Sequence, residues 1–219
     1  MPKQYRLIGG VPMAVRTVHA FVGHPRVGRL VLVLPEADSL APPVWLAELQ
    51  EAAAAARTPL VLVAGGAARA DSVANGLHAL DASQGLVLVH DAARPFVSEA
   101  TIEAIIAALD LGEAAIAAVP LGDTLKAASD AAPSHVQRTV PRAGLWRAQT
   151  PQGFRTELLR RAYLQRADAG DSATDEAALV ERLGVPIRLI PDSSRNFKVT
   201  SADDLALAEL IADAEGRLA

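Results

Sequence analysis

Residues 86–96 read LVLVHDAARPF, and this stretch decides how the rest of the chain is interpreted. Leu86 to Val89 is an apolar run without polar alternation, which is typical of a strand buried on both faces of a parallel sheet. His90, Asp91 and Arg94 follow this run, and the proline after Arg94 disfavours an immediate helix. Ligands of open α/β sheets bind just beyond the carboxyl ends of the strands. The stretch therefore predicts a buried strand that ends in a ligand-binding loop.

Further apolar runs alternate with helical patterns along most of the chain, which predicts an α/β fold with a mainly parallel sheet. Ser98 is expected to cap one helix, Thr174 another, and Ser201 with Asp204 a third. The other predicted strands are Leu30–Leu34, Leu60–Val63, Ala114–Val119 and Ile187–Ile190, and the helical patterns cover Pro12–Val22, Val44–Ala56, Val73–Leu80, Ser98–Asp110 and Thr156–Ala167.

Residues 121–142 interrupt this alternation. Val136, Arg138 and Val140 alternate with polar residues, and residues 130–134 are turn-like, so the segment predicts a protruding β-hairpin. A hairpin alone is marginally stable in water, and we therefore expect this arm to pack against a second copy of the chain. The segment Gln149–Phe154, in contrast, is predicted to be a loop.

The composition limits the class of protein. A chain of 219 residues with 51% hydrophobic but only 4% aromatic residues is expected to form one domain, residues 1–219, around an aliphatic core. The net charge of −4 argues against a broad surface that binds nucleic acid. The absence of Cys excludes disulfides and thiolate metal sites. No apolar run approaches a membrane span of about 18 residues, so we expect a cytoplasmic protein that binds no nucleic acid and no membrane.

Two loops at predicted strand ends hold candidate site residues, and each has two interpretations. Gly65 and Gly66 allow a close backbone approach to a base or a phosphate, with Ser72 donating near a helix start; the alternative is an ordinary turn capped by Ser72. His90 and Asp91 are residue types that bind metals. Alternatively, His90 satisfies a loop carbonyl while Asp91 binds a ribose hydroxyl or a magnesium-bound water.

The cations of the predicted loops and arm together suggest a local phosphate site, although each one alone is typical of a solvated surface. Thr124 and Asn196 are candidates for contacts to a hydroxylated substrate or for simple turn residues. The signatures G-x-S-x-G, Walker A, H-E-x-x-H and G-x-G-x-x-G are missing. The cations are Arg94, Lys126, Arg138, Arg142, Arg195 and Lys198.

Seven ordered strings resemble the 2-C-methyl-D-erythritol 4-phosphate cytidylyltransferases of the non-mevalonate isoprenoid pathway. This resemblance implies a Rossmann-like nucleotidyltransferase that uses magnesium and transfers CMP from CTP to methylerythritol phosphate. It also implies a homodimer formed through the arm. The strings are PKQY, VAGGAARADSVANGL, LVHDAARPF, PLGDTLK, TVPRAGLWRAQTPQGF, TDEAALVERLG and NFKVTSADDLALAE.

The resemblance also implies roles for individual residues. Lys3 would stabilise charge on the CTP phosphates, and Arg142 would reach the substrate of the partner subunit. No residue is assigned as a metal ligand. The implied catalytic residues are Lys3, Arg142 and Lys198, the nucleotide contacts are Gly65, Gly66, Ser72 and Asp91, and the acceptor contacts are Arg94, Thr124 and Thr174.

The chain departs from the family pattern in two places. Relatives begin with a strand and a glycine-rich loop ahead of PKQY, whereas this sequence starts at Met1. Without that strand, two neighbouring strands would lack pairing, at a cost of about 1 to 3 kcal/mol for each buried unsatisfied group. We therefore expect either an unstable, nearly inactive chain or a Met1 internal to a longer reading frame. Ala67 also replaces the acidic or polar residue that many relatives carry beside the base.

Two other functions stay open at this stage. One is transfer of CMP to ribitol phosphate or another polyol phosphate, which would share the nucleotide half of the site. The other is a catalytically dead, dimeric scaffold that kept the fold and the arm but not the phosphate loop.

Overall fold

A computed structural model describes residues 5–81, 85–129, 133–166 and 173–216. Lys3 and part of the predicted hairpin turn, residues 130–132, lie outside these ranges. In chain order the elements are β1 (Leu7–Ile8), β2 (Val11–Pro12), α1 (Met13–His19), β3 (Leu30–Leu34), α2 (Glu36–Leu40), α3 (Trp45–Ala55), β4 (Leu60–Ala64), α4 (Arg69–His78), β5 (Leu86–Val89), α5 (Glu99–Asp110), β6 (Ala114–Pro120), β7 (Leu125–Ala128), β8 (Val136–Val140), β9 (Trp146–Arg155), α6 (Thr156–Arg166), α7 (Glu176–Glu181), β10 (Ile187–Pro191) and α8 (Ala202–Glu215).

The strands form a mixed sheet and a separate parallel pair. The order in the larger sheet is β10-β6-β9-β5, with β10 parallel to β6, and β9 antiparallel to both β6 and β5. β3 and β4 form a parallel pair of their own. The α/β class predicted from the sequence is confirmed, and the five predicted strands are all present, with ends within one residue of the prediction.

The prediction of a loop at Gln149–Phe154 is wrong, because these residues belong to β9 in the middle of the larger sheet. Proline cannot donate to a strand ladder, so Pro151 favoured a loop in the sequence. The structure accommodates Pro151 at an irregularity, since the pairing of β6 with β9 shifts register between Ile116 and Ala118. The neighbouring strands therefore override the local signal.

Side chains cap the starts of α5, α7 and α8, and two of the three predicted capping residues are confirmed. The Ser98 side chain accepts from Thr101 N at the start of α5, and Ser201 forms a capping box with Asp204 at the start of α8, both as predicted. The cap of α7 is Asp175 and not Thr174, because the Asp175 carboxylate accepts from Ala178 N at 2.9 Å.

Helices cover both faces of the larger sheet. On one face, Ile116 of β6 and Phe154 of β9 pack with residues of α4, α6 and α7. On the other, Ala115 and Ala117 of β6 pack against α5. Gly153 allows this second contact, because a Cβ at its position would lie 2.6 Å from the Ile105 side chain. Because helices cover both faces of the sheet, a ligand-binding site is expected beyond the carboxyl ends of its strands.

The predicted hairpin is present as β7 and β8, which pair antiparallel from Leu125 opposite Val140 to Ala128 opposite Val136. Among the described residues these two strands pair with each other and with no other strand. Val136 is 63% exposed although it is apolar. Within the described part of the chain, no helix combines the length and apolar character needed to cross a membrane.

Candidate active site

Asp91 lies at the centre of a group of cations just beyond the carboxyl end of β5. Its carboxylate is 3.1 Å from Nη2 of Arg69 and 2.8 Å from Nζ of Lys198. Nε of Arg94 lies 3.8 Å away on the same carboxylate. The Asp91 side chain is 13% exposed, so these charges interact in a partly desolvated environment. One carboxylate thus gathers three cations from three separate segments.

The ionisation of Asp91 follows from these neighbours. Burial alone raises the pKa of its carboxyl group, but the charge of Arg69 and the hydrogen bond and charge of Lys198 outweigh burial and lower the pKa to about 2. Burial also lowers the pKa of Arg94, against the charges of Asp91 and Asp192. Three cations thus meet at Asp91, and this arrangement suits an additional anionic ligand.

His90 has a structural role that one of the two sequence interpretations described. Its Nε2 lies 3.0 Å from the carbonyl of Arg94, and its Nδ1 lies 3.0 Å from Thr150 Oγ1. Burial lowers the pKa of His90 to about 4, so the ring is neutral at pH 7. The same Thr150 hydroxyl accepts from the backbone N–H of Asp91 at 3.0 Å. His90 therefore fixes the loop that carries Asp91 and Arg94.

Arg69 and Glu176 are functional candidates that the sequence analysis missed. Arg69 binds Glu176 through two hydrogen bonds of 2.8 and 2.9 Å while it also contacts Asp91. Glu176 is 1% exposed and accepts a further bond from Tyr163 at 3.1 Å. Burial lowers the pKa of Arg69, but the bonds and charges of Glu176 and Asp91 outweigh it and raise that pKa. The sequence feature that could have indicated Arg69 is its position directly after a glycine loop and at the start of a helix.

The glycine loop after β4 is held by its own side chains. Gly66 N–H donates to Ser72 Oγ at 3.1 Å, and that hydroxyl donates to the Ala68 carbonyl. Ser72 is not the helix cap, since α4 begins at Arg69. A Cβ on Gly66 would lie 2.3 Å from that of Asp71, so this position requires glycine. The loop borders a second cavity at the carboxyl ends of β3 and β4.

A buried polar network supports the segment that carries Lys198. Asn196 is 1% exposed and donates to the carbonyl of Thr150 at 2.8 Å and to Asp192 at 2.7 Å. The backbone carbonyl of Asn196 accepts hydrogen bonds from the Arg94 side chain at 2.8 Å and from the Gln149 side chain at 3.0 Å. Asn196 therefore joins the β5 loop, β9 and the segment before α8, which is a structural role.

The structure brings some of the predicted site residues together and leaves others apart. Asp91, Arg94 and Lys198 come together, and Ser72 lines the same cavity as Asp91. Gly65 and Gly66 lie on the adjoining loop, which also borders the second cavity. Thr124 and Arg142 are exposed at the base of the arm, where the Arg142 guanidinium donates to the Gly122 carbonyl. Thr174 is exposed just before α7, and Lys3 lies outside the described residues.

The site offers few protein ligands for a divalent metal. Among the described residues no three His, Asp or Glu side chains come together as a metal site. Asp91 is one carboxylate beside a cavity, and magnesium is often bound by one or two carboxylates together with substrate phosphates. The described residues therefore fit a divalent metal that is held jointly with a nucleotide better than one held by protein alone.

An α/β fold with a glycine loop and a cationic cluster at the strand ends is suited to binding a nucleotide or another anionic ligand, and solved structures of nucleotidyltransferases share this fold. The family model described as "IspD: 2-C-methyl-D-erythritol 4-phosphate cytidylyltransferase" matches residues 1–214. The chain belongs to this family.

Individual relatives agree with this assignment. A 2-C-methyl-D-erythritol 4-phosphate cytidylyltransferase of Syntrophus aciditrophicus is 38% identical over 99% of this chain and 91% of its own length. The protein of the same name from Salinibacter ruber is 44% identical over 96% and 85%. A crystal structure of this cytidylyltransferase from Thermus thermophilus superposes with a TM-score of 0.79 at 36% identity, covering 96% of this chain and 93% of that one.

Proposed function

We propose that the protein transfers CMP from CTP to 2-C-methyl-D-erythritol 4-phosphate and releases pyrophosphate, as a step of isoprenoid precursor synthesis. The reaction type is inferred from membership of the family. The structural observation that supports it is the cluster of Arg69, Arg94 and Lys198 around Asp91. A cytoplasmic location stays a prediction from the sequence.

The site suits an in-line attack of the acceptor phosphate on the α-phosphorus of CTP. Such a step needs positioning and charge neutralisation rather than a protein nucleophile. In our proposal Lys198 and Arg94 hold the anionic groups together and reduce their mutual repulsion. Gly65, Gly66 and Ser72 border the space for the cytosine and ribose, and Asp91 faces the ribose or the metal side of the phosphates.

Magnesium is the cofactor that we propose, because Asp91 lies where a metal could be shared with the nucleotide phosphates. When bound, such an ion neutralises phosphate charge. The protein contributes the oriented carboxylate: Lys198 and Arg69 keep Asp91 ionised over the whole physiological pH range, and the Thr150 hydroxyl fixes its backbone. Lys3 is proposed to stabilise charge on the triphosphate.

The arm is proposed to join two copies of the chain and to complete the acceptor site with Arg142 of the partner subunit. Its exposed Val136 and its lack of strand pairing with the described body support an intermolecular contact. Thr124 and Thr174, both exposed, are proposed as further contacts to the acceptor. Mixing Arg142→Ala and Lys198→Met subunits should then restore activity that neither variant has alone. If mixed dimers stay as inactive as the parents, the shared site is refuted.

The test of the proposed reaction is pyrophosphate release from CTP, with methylerythritol phosphate or ribitol phosphate as the acceptor. We expect release with methylerythritol phosphate and a loss of about 100-fold in Lys198→Met, as for a group that stabilises developing charge. The matched control is Arg188→Met, because Arg188 is an exposed cation that pairs with Glu113 and has no proposed role in the site or the arm. Turnover with ribitol phosphate alone would refute the acceptor, and equal activity in both variants would refute the site.

A further inference from the structure

Gln152 is a buried amide in the middle of the larger sheet. It is 1% exposed, and within β9 it pairs opposite Val89 of β5 and Ile116 of β6. Val89 is the last residue of β5 and is followed by His90 and Asp91. A buried amide costs free energy unless its oxygen and its N–H groups find partners. The partners of Gln152 therefore show which segment is held against the strand end that carries Asp91.

The side-chain amide of Gln152 bonds to the first turn of α7. Its Nε2 donates to Asp175 Oδ2 at 2.9 Å, and its Oε1 accepts from Ala177 N at 3.0 Å. The other carboxylate oxygen of Asp175 accepts from Ala178 N at 2.9 Å. Because a carboxylate accepts and a backbone N–H donates, only one orientation of the amide satisfies both partners. Gln152 and Asp175 thus bind two of the N–H groups that the start of a helix leaves without intrahelical partners.

The first turn of α7 joins the proposed acceptor contact to the cation cluster. Thr174, the proposed acceptor contact, directly precedes Asp175 and is exposed. Glu176 begins the helix and binds Arg69, which also contacts Asp91. Because Thr174 is adjacent in the chain to the capping residue, its position follows the position of the turn.

The nucleotide side of the site has supports that do not involve α7. Lys198 contacts the Asp91 carboxylate at 2.8 Å, and the Thr150 hydroxyl accepts from the Asp91 backbone N–H at 3.0 Å. The glycine loop is held by its own bond from Gly66 N–H to Ser72 Oγ. Loss of the bonds between β9 and α7 would therefore release the acceptor contact and leave the nucleotide contacts in place.

We propose that Gln152 is a positioning residue that holds the first turn of α7 against β9 and so fixes the acceptor contact Thr174 relative to Asp91. The inference rests on the proposed function, since only there is Thr174 assigned to the acceptor. A misplacement of about 1 Å in a positioned group can cost about 100-fold in rate. Without the Gln152 bonds we expect the KM for methylerythritol phosphate to rise about tenfold, while the KM for CTP changes by less than about twofold.

The experiment exchanges the donor and the acceptor of the bond between Gln152 and Asp175. Gln152→Glu sets two carboxylates against each other, and Asp175→Asn sets two amide donors against each other. In the double variant the new amide at position 175 donates to the new carboxylate at position 152, and both backbone N–H bonds remain. Each single variant should raise the acceptor KM about tenfold, and the double variant should return it to within about threefold of wild type. Only the bond of 3.4 Å from Gln152 to the Gln149 carbonyl is then lost.

The control is Ser98→Ala, which removes a side-chain cap from another helix, α5, where the Ser98 hydroxyl accepts from Thr101 N at 3.1 Å. It should lower resistance to urea as a lost cap does, but leave both KM values within about twofold of wild type. Three results overturn the positioning role: an unchanged acceptor KM in both single variants, no recovery in the double variant, or an equal rise in the KM for CTP.

The failure of the proposed function is recognised separately, because it appears as wild-type protein that releases no pyrophosphate. The acceptor side is then measured by the dissociation constant of methylerythritol phosphate, with isothermal titration calorimetry on the same variants. Binding that is about tenfold weaker in each single variant and restored in the double variant supports the positioning role. Equal dissociation constants in all variants, or no binding to wild type, overturns it.

Discussion

Arg69→Met is the substitution that tests the structural account of the site most sharply. It removes the guanidinium that bonds twice to Glu176, a side chain with 1% exposure, and twice to Asp91. Removing one partner of a buried ion pair costs about 3 to 5 kcal/mol. Arg69 is itself 38% exposed, so solvent screens part of this interaction, and Tyr163 still donates to Glu176. We therefore expect a loss of about 2 kcal/mol in the free energy of unfolding.

Urea unfolding at neutral pH measures this loss, with Arg188→Met as the matched control. Arg188 also pairs with a glutamate, Glu113, at 2.8 Å, but the two side chains are 52% and 45% exposed. The control should change stability by less than about 0.5 kcal/mol. Adding Glu176→Gln to Arg69→Met should recover part of the loss, because the unpaired buried charge is removed. The reasoning is refuted if Arg69→Met costs no more than Arg188→Met.

Two further predictions concern single residues of the site. His90 has a folded-state pKa of about 4 against 6.5 for an ordinary histidine, so the unfolded chain takes up a proton first as the pH falls. The stability that neutral His90 contributes is complete above pH 6.5 and is lost towards pH 4, by up to about 3 kcal/mol. Urea unfolding at several pH values should therefore show a flatter dependence of the free energy of unfolding on pH for His90→Gln. A profile unchanged from wild type would contradict this. Gly66→Ala should lower the free energy of unfolding by about 1 to 3 kcal/mol, because the new Cβ would lie 2.3 Å from the Cβ of Asp71. The control is Gly28→Ala, whose Cβ would meet no atom within 4 Å and which should be nearly neutral. Equal unfolding midpoints for the two alanine variants would show that the loop adapts.

The strands and the hairpin could be predicted because local patterns determine them. Continuous apolar runs predicted β3 and β5, and the alternation of apolar and polar residues predicted β8. β9 could not be predicted, because Pro151 signals a loop locally and only pairing with β5 and β6 on either side makes the segment a strand. The same limit applies to the cap of α7, where Thr174 and Asp175 are both suitable types and geometry selects Asp175.

The site was predictable in part for a related reason. Asp91 and Arg94 follow a strand directly, so their position could be read from the sequence. Glu176 looked like an ordinary residue in the first turn of a helix, and only the fold shows that it is buried against Arg69. This pair joins segments 107 residues apart, and no local pattern reports such a contact. Thr124 and Arg142 lie on the arm, so their proposed role depends on a second copy of the chain.

The most direct test of the central claim is pyrophosphate release from CTP and methylerythritol phosphate with magnesium, repeated for Lys198→Met. The account predicts release that requires both substrates and that falls about 100-fold in Lys198→Met. The contradictory result is a folded protein that releases no pyrophosphate with both substrates present, or one whose release is unchanged in Lys198→Met.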